Sequence, residues 1–127
     1  MNTALWIAAG SLAVIALLGG LTKTFVPRAT LSAAPGGAWT AAASDGFVKS
    51  LGIVEILAAV GLILPAVLDI APVMVAVTAL CWVLLMIGAM VAHGRLGEYK
   101  FMLVNAVYLA VAAFVAWGRF VVEPVTN

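Results

Sequence analysis

Hydrophobic residues fall in four long runs, separated by polar intervals or by intervals broken with glycine and proline. The runs are Asn2 to Leu21, Phe47 to Leu64, Pro72 to Ala92 and Phe101 to Trp117. A membrane-spanning helix needs about 20 mainly apolar residues, and each run meets or approaches that length. The third carries no charge, while the second is interrupted by Lys49 near its start and Glu55 near its centre. In lipid the backbone must satisfy its own hydrogen bonds, and the chain is too short and too continuously apolar for a barrel. The pattern predicts an all-α fold, a membrane-embedded four-helix transmembrane bundle. It is one domain over residues 1–127, with approximate spans 2–21, 47–64, 72–92 and 101–117.

The connections differ in kind. Pro65 to Ala71 reads as a tight turn bracketed by Pro65 and Pro72, with Pro72 suited to the first turn of the next helix. His93 to Lys100 is short, polar and broken by glycine. Thr22 to Gly46 is the longest and holds Pro27, Pro35, Gly36, Gly37 and Trp39. It reads either as a lid folded back on the membrane interface with Trp39 as anchor, or as a disordered linker. Lys23, Arg28, Lys49, Arg95 and Lys100 lie on one side of the bundle and Arg119 on the other. The positive-inside rule then makes this a multi-pass protein of the cell membrane, with loops 22–46 and 93–100 cytoplasmic and the termini outside. Met1 to Thr3 carries no basic residue and the run after it is longer than a signal-peptide core, so a retained span is expected. Small residues at four-residue spacing (Ala9 and Ala13, Ala16 and Gly20, Gly88 and Ala92, Ala106 and Ala110) permit close helix approach.

Composition strengthens the membrane reading. Of 127 residues, 66% are hydrophobic and 9% charged, with a mean hydropathy of +1.25. A soluble domain has about 45–50% apolar and about 25% charged residues. The net charge of +1 includes no basic stripe, so nucleic acid is not an expected partner. One cysteine and one histidine exclude an intrachain disulfide, a bis-histidine haem site and a His-rich zinc site. Cys81 is expected to be an inert buried thiol. Met86, Met90 and His93 share a helical face in the manner of Cu(I) ligands, but methionine in apolar helices is usually filler, and no metal is expected.

Glu55 is the most informative residue. A carboxylate at bilayer depth costs at least about 2.5–3.5 kcal/mol, so it should face the bundle interior. Burial disfavours its charged form unless a cation pairs with it. Its helical neighbours Gly52, Ala58 and Ala59 leave room for another helix or a ligand. Candidate partners gather in the same half of the membrane. Lys23 ends the first helix, Lys49 begins the second and His93 ends the third. Asn105 and Tyr108 share a face of the fourth, and Asp45, Arg95, Glu98 and Lys100 complete the rim. By helical rise Glu55 lies about 12 Å and Tyr108 about 10 Å inside that edge. A pocket floored by Glu55 and opening toward the first and third loops is expected. Any catalysis there is acid–base chemistry by Glu55 with His93, Lys23 or Tyr108. Asn105, Lys49, Arg95, Glu98 and Trp39 join Glu55 as ligand-binding candidates.

The order Gly20, Lys23, then Lys49, Gly52, Glu55, then Gly61 to Pro65 resembles DoxX-like membrane proteins. The later residues Met86, Ala89, His93, Arg95, Gly97 and Glu98, and the run Ala116 to Arg119, are also similar to that family. The resemblance covers Leu17 to Phe120. It implies a four-helix membrane bundle with Lys23, Glu55, His93, Arg95 and Glu98 as a shared polar set. The family name derives from association with a thiosulfate:quinone oxidoreductase, and related proteins are linked to redox or thiol-stress complexes. The resemblance supplies no role for the polar set, and without redox cysteines direct thiol oxidoreduction is not expected.

These features support a bundle that binds a lipophilic small molecule, quinone- or isoprenoid-like, either alone or as a membrane subunit of a redox system. No cofactor is identified in the sequence itself; a quinone is the one the reading allows. The rivals are an acid–base enzyme (isomerase, cyclase or ring-opening) on a lipophilic substrate, a non-catalytic accessory or scaffold protein, and a transporter. Expected partners are the bilayer, the lipophilic molecule, and a second copy of the chain or a redox protein.

Overall fold

The computed structural model describes residues 1–124. Helix α1 spans Asn2–Phe25, short α2 spans Arg28–Ala33, and a 3₁₀ turn covers Ala38–Ala42. Helices α3 (Asp45–Leu68), α4 (Met74–Arg95) and α5 (Tyr99–Trp117) follow, and α5 runs on as a π turn over Gly118–Val122. Among the described residues four helices are long and apolar enough to cross a membrane: Asn2–Phe25, Asp45–Leu68, Met74–Arg95 and Tyr99–Val122. At 22–24 residues each, they rise about 33–36 Å, enough for a hydrocarbon core of about 30 Å.

The helices outrun the apolar stretches of the sequence, and their ends show why. The Ser44 hydroxyl caps α3 by accepting from the Phe47 N–H at 3.1 Å, and Asp45 adds negative charge to the first turn. At the far end α3 passes straight through Pro65, where the sequence suggested a turn, and stops at Asp69 in the left-handed conformation, φ 59°. Proline is tolerated inside membrane helices because neighbouring helices support the backbone it disturbs. Pro72 falls just before α4 rather than in its first turn, its carbonyl accepting from the Val75 N–H.

The segment from Thr22 to Gly46 is a folded cap. Its hub is Arg28, whose Nε donates to Asp45 Oδ1 at 3.0 Å and whose Nη1 reaches the carbonyls of Ala43, Ala41 and Thr40 at 2.8, 3.2 and 3.4 Å. Leu31 and Thr40 are buried beneath it. Gly36, at φ 78°, lies against the Phe101 ring on α5. The cap therefore crosses the end of the bundle from the α1–α3 side to α5.

α1 packs most extensively on α3, and α4 on α5, with lighter contact between the two pairs. The α1–α3 crossing is a backbone-to-backbone approach at Gly20 and Gly52. A Cβ on Gly20 would stand 2.7 Å from the Gly52 carbonyl, and one on Gly52 2.8 Å from the Gly20 carbonyl. Of the small-residue pairs, Ala9, Ala16 and Gly20 serve such packing, whereas Gly88 faces open space. The dense core lies in the half away from the cap. Leu12, Ala16, Leu62, Ala79, Trp82 and Val115 are each at most 2% exposed. Toward the cap the two helix pairs leave a cavity between them. Outward faces carry Ile7, Val14, Leu57, Leu84 and Leu103, all more than half exposed, as lipid contact requires. Cys81 lies on that outer face, not in the core: it sits one position from buried Trp82, and a step of one residue turns about 100°.

Candidate functional site

The glycine crossing sets the first element of the site. With α1 and α3 in backbone contact, Lys23, one turn beyond Gly19, reaches Glu55, one turn beyond Gly52. The ammonium Nζ lies 2.9 Å from Oε2 and 3.2 Å from Oε1 of Glu55. Glu55 is 5% exposed, and its Oε1 lies so close to Gly19 that a Cβ there would be 2.9 Å away. Lys49 takes another part. It is exposed and donates to the Thr24 carbonyl at 3.2 Å, satisfying one of the carbonyls left open where α1 ends. The spacing of Lys49, Gly52 and Glu55 thus serves the crossing, the cap of α1 and the ion pair together.

The second element is built by the end of α4. Gly97, at φ 72°, is the left-handed residue of a Schellman turn: its N–H bonds the Gly94 carbonyl, and the Glu98 N–H bonds the His93 carbonyl. The turn swings Glu98 back over the helix, where its Oε1 meets His93 Nδ1 at 3.0 Å. Donation from Nδ1 to the carboxylate fixes the orientation of the ring. The ring is 8% exposed and lies 5.5 Å from the Phe101 ring, centroid to centroid.

Both elements border one cavity of about 500 Å³ between the helix pairs. Lys23 and Glu55 enter from the α1–α3 side, His93 from α4, Asn105 and Tyr108 from α5, and Trp39 from the cap. Glu55 belongs to the wall rather than the floor, because Ile15 lies one turn deeper on α1 than Gly19. Trp82 lines the deep end, is 2% exposed, and its indole Nε1 has no hydrogen-bond partner among the described residues. The Asn105 amide and Tyr108 hydroxyl likewise bond to no described side chain or backbone group. The remaining wall is mainly apolar. Such a site can hold a lipophilic molecule and offer hydrogen bonds to one polar end of it. Among the described residues no three His, Cys, Asp or Glu side chains cluster as metal ligands.

Six of the sequence-derived candidates therefore meet at the cavity: Lys23, Glu55, His93, Asn105, Tyr108 and Trp39. Glu98 stands behind His93, and neither Lys49 nor Arg95 lines the cavity. Arg95 is two residues past His93, so the helical turn carries it to the exposed face. Sequence reasoning missed Phe47, Leu51, Ile15 and Trp82, because an apolar residue facing a cavity has the same pattern as one facing lipid. Arg119, counted in the sequence as the basic residue of the opposite side, is buried there. The side chain is 6% exposed, lies 5.7 Å over the Trp6 ring and donates to the Glu123 carbonyl at 3.1 Å.

Compared with known proteins, residues 7–115 match the model of the DoxX-like family. No curated protein and no solved structure matches the chain.

Proposed function

The chain belongs to the DoxX-like family, and from the chemistry of its own cavity we propose that it binds a lipophilic small molecule, quinone- or isoprenoid-like. The observation that carries this reading is the unpartnered Asn105 amide and Tyr108 hydroxyl on the wall of a largely apolar cavity of about 500 Å³ inside a membrane bundle. Small-molecule sites typically enclose about 300–1,000 Å³ with a few convergent polar groups. A ring bearing carbonyl or hydroxyl oxygens would accept from Tyr108 and Asn105 on one wall. On the other, the Lys23–Glu55 pair gives a fixed charged edge with little net charge. A role as the membrane subunit of a redox system fits a quinone ligand.

A second reading is favoured by one observation: His93 is oriented by Glu98 from behind while its ring lines the cavity. An imidazole held by a carboxylate is the usual arrangement for general acid–base work. On that reading the protein moves a proton on its ligand, as in an isomerisation, cyclisation or ring opening.

Mass spectrometry of organic extracts from protein purified in mild detergent tests the first reading. Wild type should carry a quinone or isoprenoid that the Asn105→Leu/Tyr108→Phe variant loses while still purifying as a folded protein. The same background lipids in both would count against the site. Turnover lost in His93→Gln, with the ligand retained, would select the second reading.

A further inference from the structure

We infer that the cavity is loaded sideways from the bilayer, through the gap between α3 and α4, and that its ligand is an amphiphile whose apolar chain stays in that gap. The inference rests on the ligand-binding reading above and names the route and the shape of the ligand.

The lining of α4 is not one inward stripe. Trp82, Met86, Ala89 and His93 form the inward face, but Leu84, Gly88 and Ala92, at four-residue steps on an adjoining face, also border the cavity. Leu84 is 63% exposed, and Phe47, near the cap end of α3, is 57% exposed. Residues that line a cavity and lie on the outer surface mark its mouth. The helices explain the gap. At the far end α3 and α4 are joined by a short turn and close where Thr78 packs on Gly61. Toward the cap each is drawn to a different neighbour. Lys49 ties the start of α3 to α1, and Met102 of α5 packs on Gly94 near the end of α4. The pair therefore splays.

Depth decides what the mouth faces. By helical rise Gly88 and Leu84 lie about 10 and 16 Å inside Arg95, within the acyl chains rather than the head groups. The water-facing end is covered by the cap, with Trp39 and Gly36 forming part of the cavity wall. A molecule entering head first between Leu51 and Gly88, at matching depths on α3 and α4, meets Tyr108 and Asn105 of α5, and its chain trails back through that opening.

The test uses full-length protein in phosphatidylcholine vesicles and in detergent. The probes are a benzoquinone with a farnesyl-length chain ending in a diazirine, and the same ring without a chain. Binding is read by quenching of tryptophan fluorescence. A β-carbon added at Gly88 would meet nothing within 4 Å, so Gly88→Phe places its ring at the mouth from a position with open space around it. In vesicles it should slow association of the chained probe at least about tenfold relative to wild type. Irradiation should attach the chain to the peptides holding residues 47–51 and 84–88, and excess chainless ring should suppress those adducts. Adducts on residues 31–40, adducts that the ring does not suppress, or an unchanged rate in Gly88→Phe would overturn lateral entry while leaving ligand binding intact. Failure of wild type to bind either probe in detergent would overturn both readings together.

Discussion

Removing one partner of the Lys23–Glu55 pair should cost more from one side than from the other. Lys23→Met leaves a carboxylate that is 5% exposed inside a membrane-spanning helix. Breaking a buried pair in this way costs about 3–5 kcal/mol. Glu55 has no escape, lying about 15 Å along α3 from Asp45 by helical rise. Lys23 is different: its side chain is 22% exposed and sits in the last turn of α1. In Glu55→Gln the ammonium can turn toward the cap surface with its stem on apolar groups, and the loss should be about 1–2 kcal/mol. The double variant Lys23→Met/Glu55→Gln removes both charges and should come within about 1 kcal/mol of wild type. Reversible unfolding in mixed micelles, followed by circular dichroism, measures all four proteins and closes a double-mutant cycle. Acidification should restore part of the loss in Lys23→Met by neutralising the stranded carboxylate. Equal losses in the two single variants, with a double variant that is simply their sum, would show that the pair is not coupled. The double variant also gives a folded background in which to ask whether the charged wall matters for ligand.

Other consequences follow from particular contacts. In Gly52→Ala the new β-carbon would stand 2.5 Å from Thr24 Oγ1 and 2.8 Å from the Gly20 carbonyl; a loss of about 1–3 kcal/mol is expected, and unchanged unfolding would refute the close crossing. Ala71 sits at φ 47° in the turn between α3 and α4; Ala71→Gly should therefore stabilise the protein by about 1 kcal/mol in the same assay, and a loss would count against that backbone. The cap face carries Lys23, Arg28, Lys49, Arg95 and Lys100, and Arg119 on the other side is buried. A cytoplasmic cap predicts that Ala33→Cys, in a Cys81→Ala background, reacts with an impermeant maleimide only after the cells are opened. Labelling in intact cells would reverse the orientation.

The spans were legible because lipid imposes one rule on the whole chain: long apolar runs become helices. Their ends were less so, since capping by Ser44, the left-handed Asp69 and the passage through Pro65 depend on local geometry that hydropathy does not carry. The polar members of the cavity wall were legible for an energetic reason. A polar group deep in a membrane bundle needs an inward-facing place, so Glu55, Asn105 and Tyr108 stand out in the sequence. Apolar members gave no such signal. Lys23 and Lys49 show the limit from the other side. Each ends or begins a helix beside Glu55, and only the crossing at Gly20 and Gly52 decides which lysine makes the pair and which caps α1.

The same contrast bears on what the cavity is for. Away from the cap these helices pack until Leu5, Leu62 and Ala79 are 0% exposed, using the alanine and valine that also populate the other half. The sequence can therefore close a bundle, yet toward the cap it bounds about 500 Å³. Without a specific occupant that volume falls to lipid tails or water, and its walls forgo the packing made in the other half. Larger side chains at Ala89 and Ala92 would restore that packing, and a purely structural bundle would gain by them. Small residues there, on the same helix as Trp82, whose indole has no partner among the described residues, and across the cavity from Tyr108, make sense when an occupant supplies both the packing and the hydrogen bonds. For that reason the cavity, more than the exposed basic face around Arg95 and Lys100, is where loss of function should concentrate under mutation.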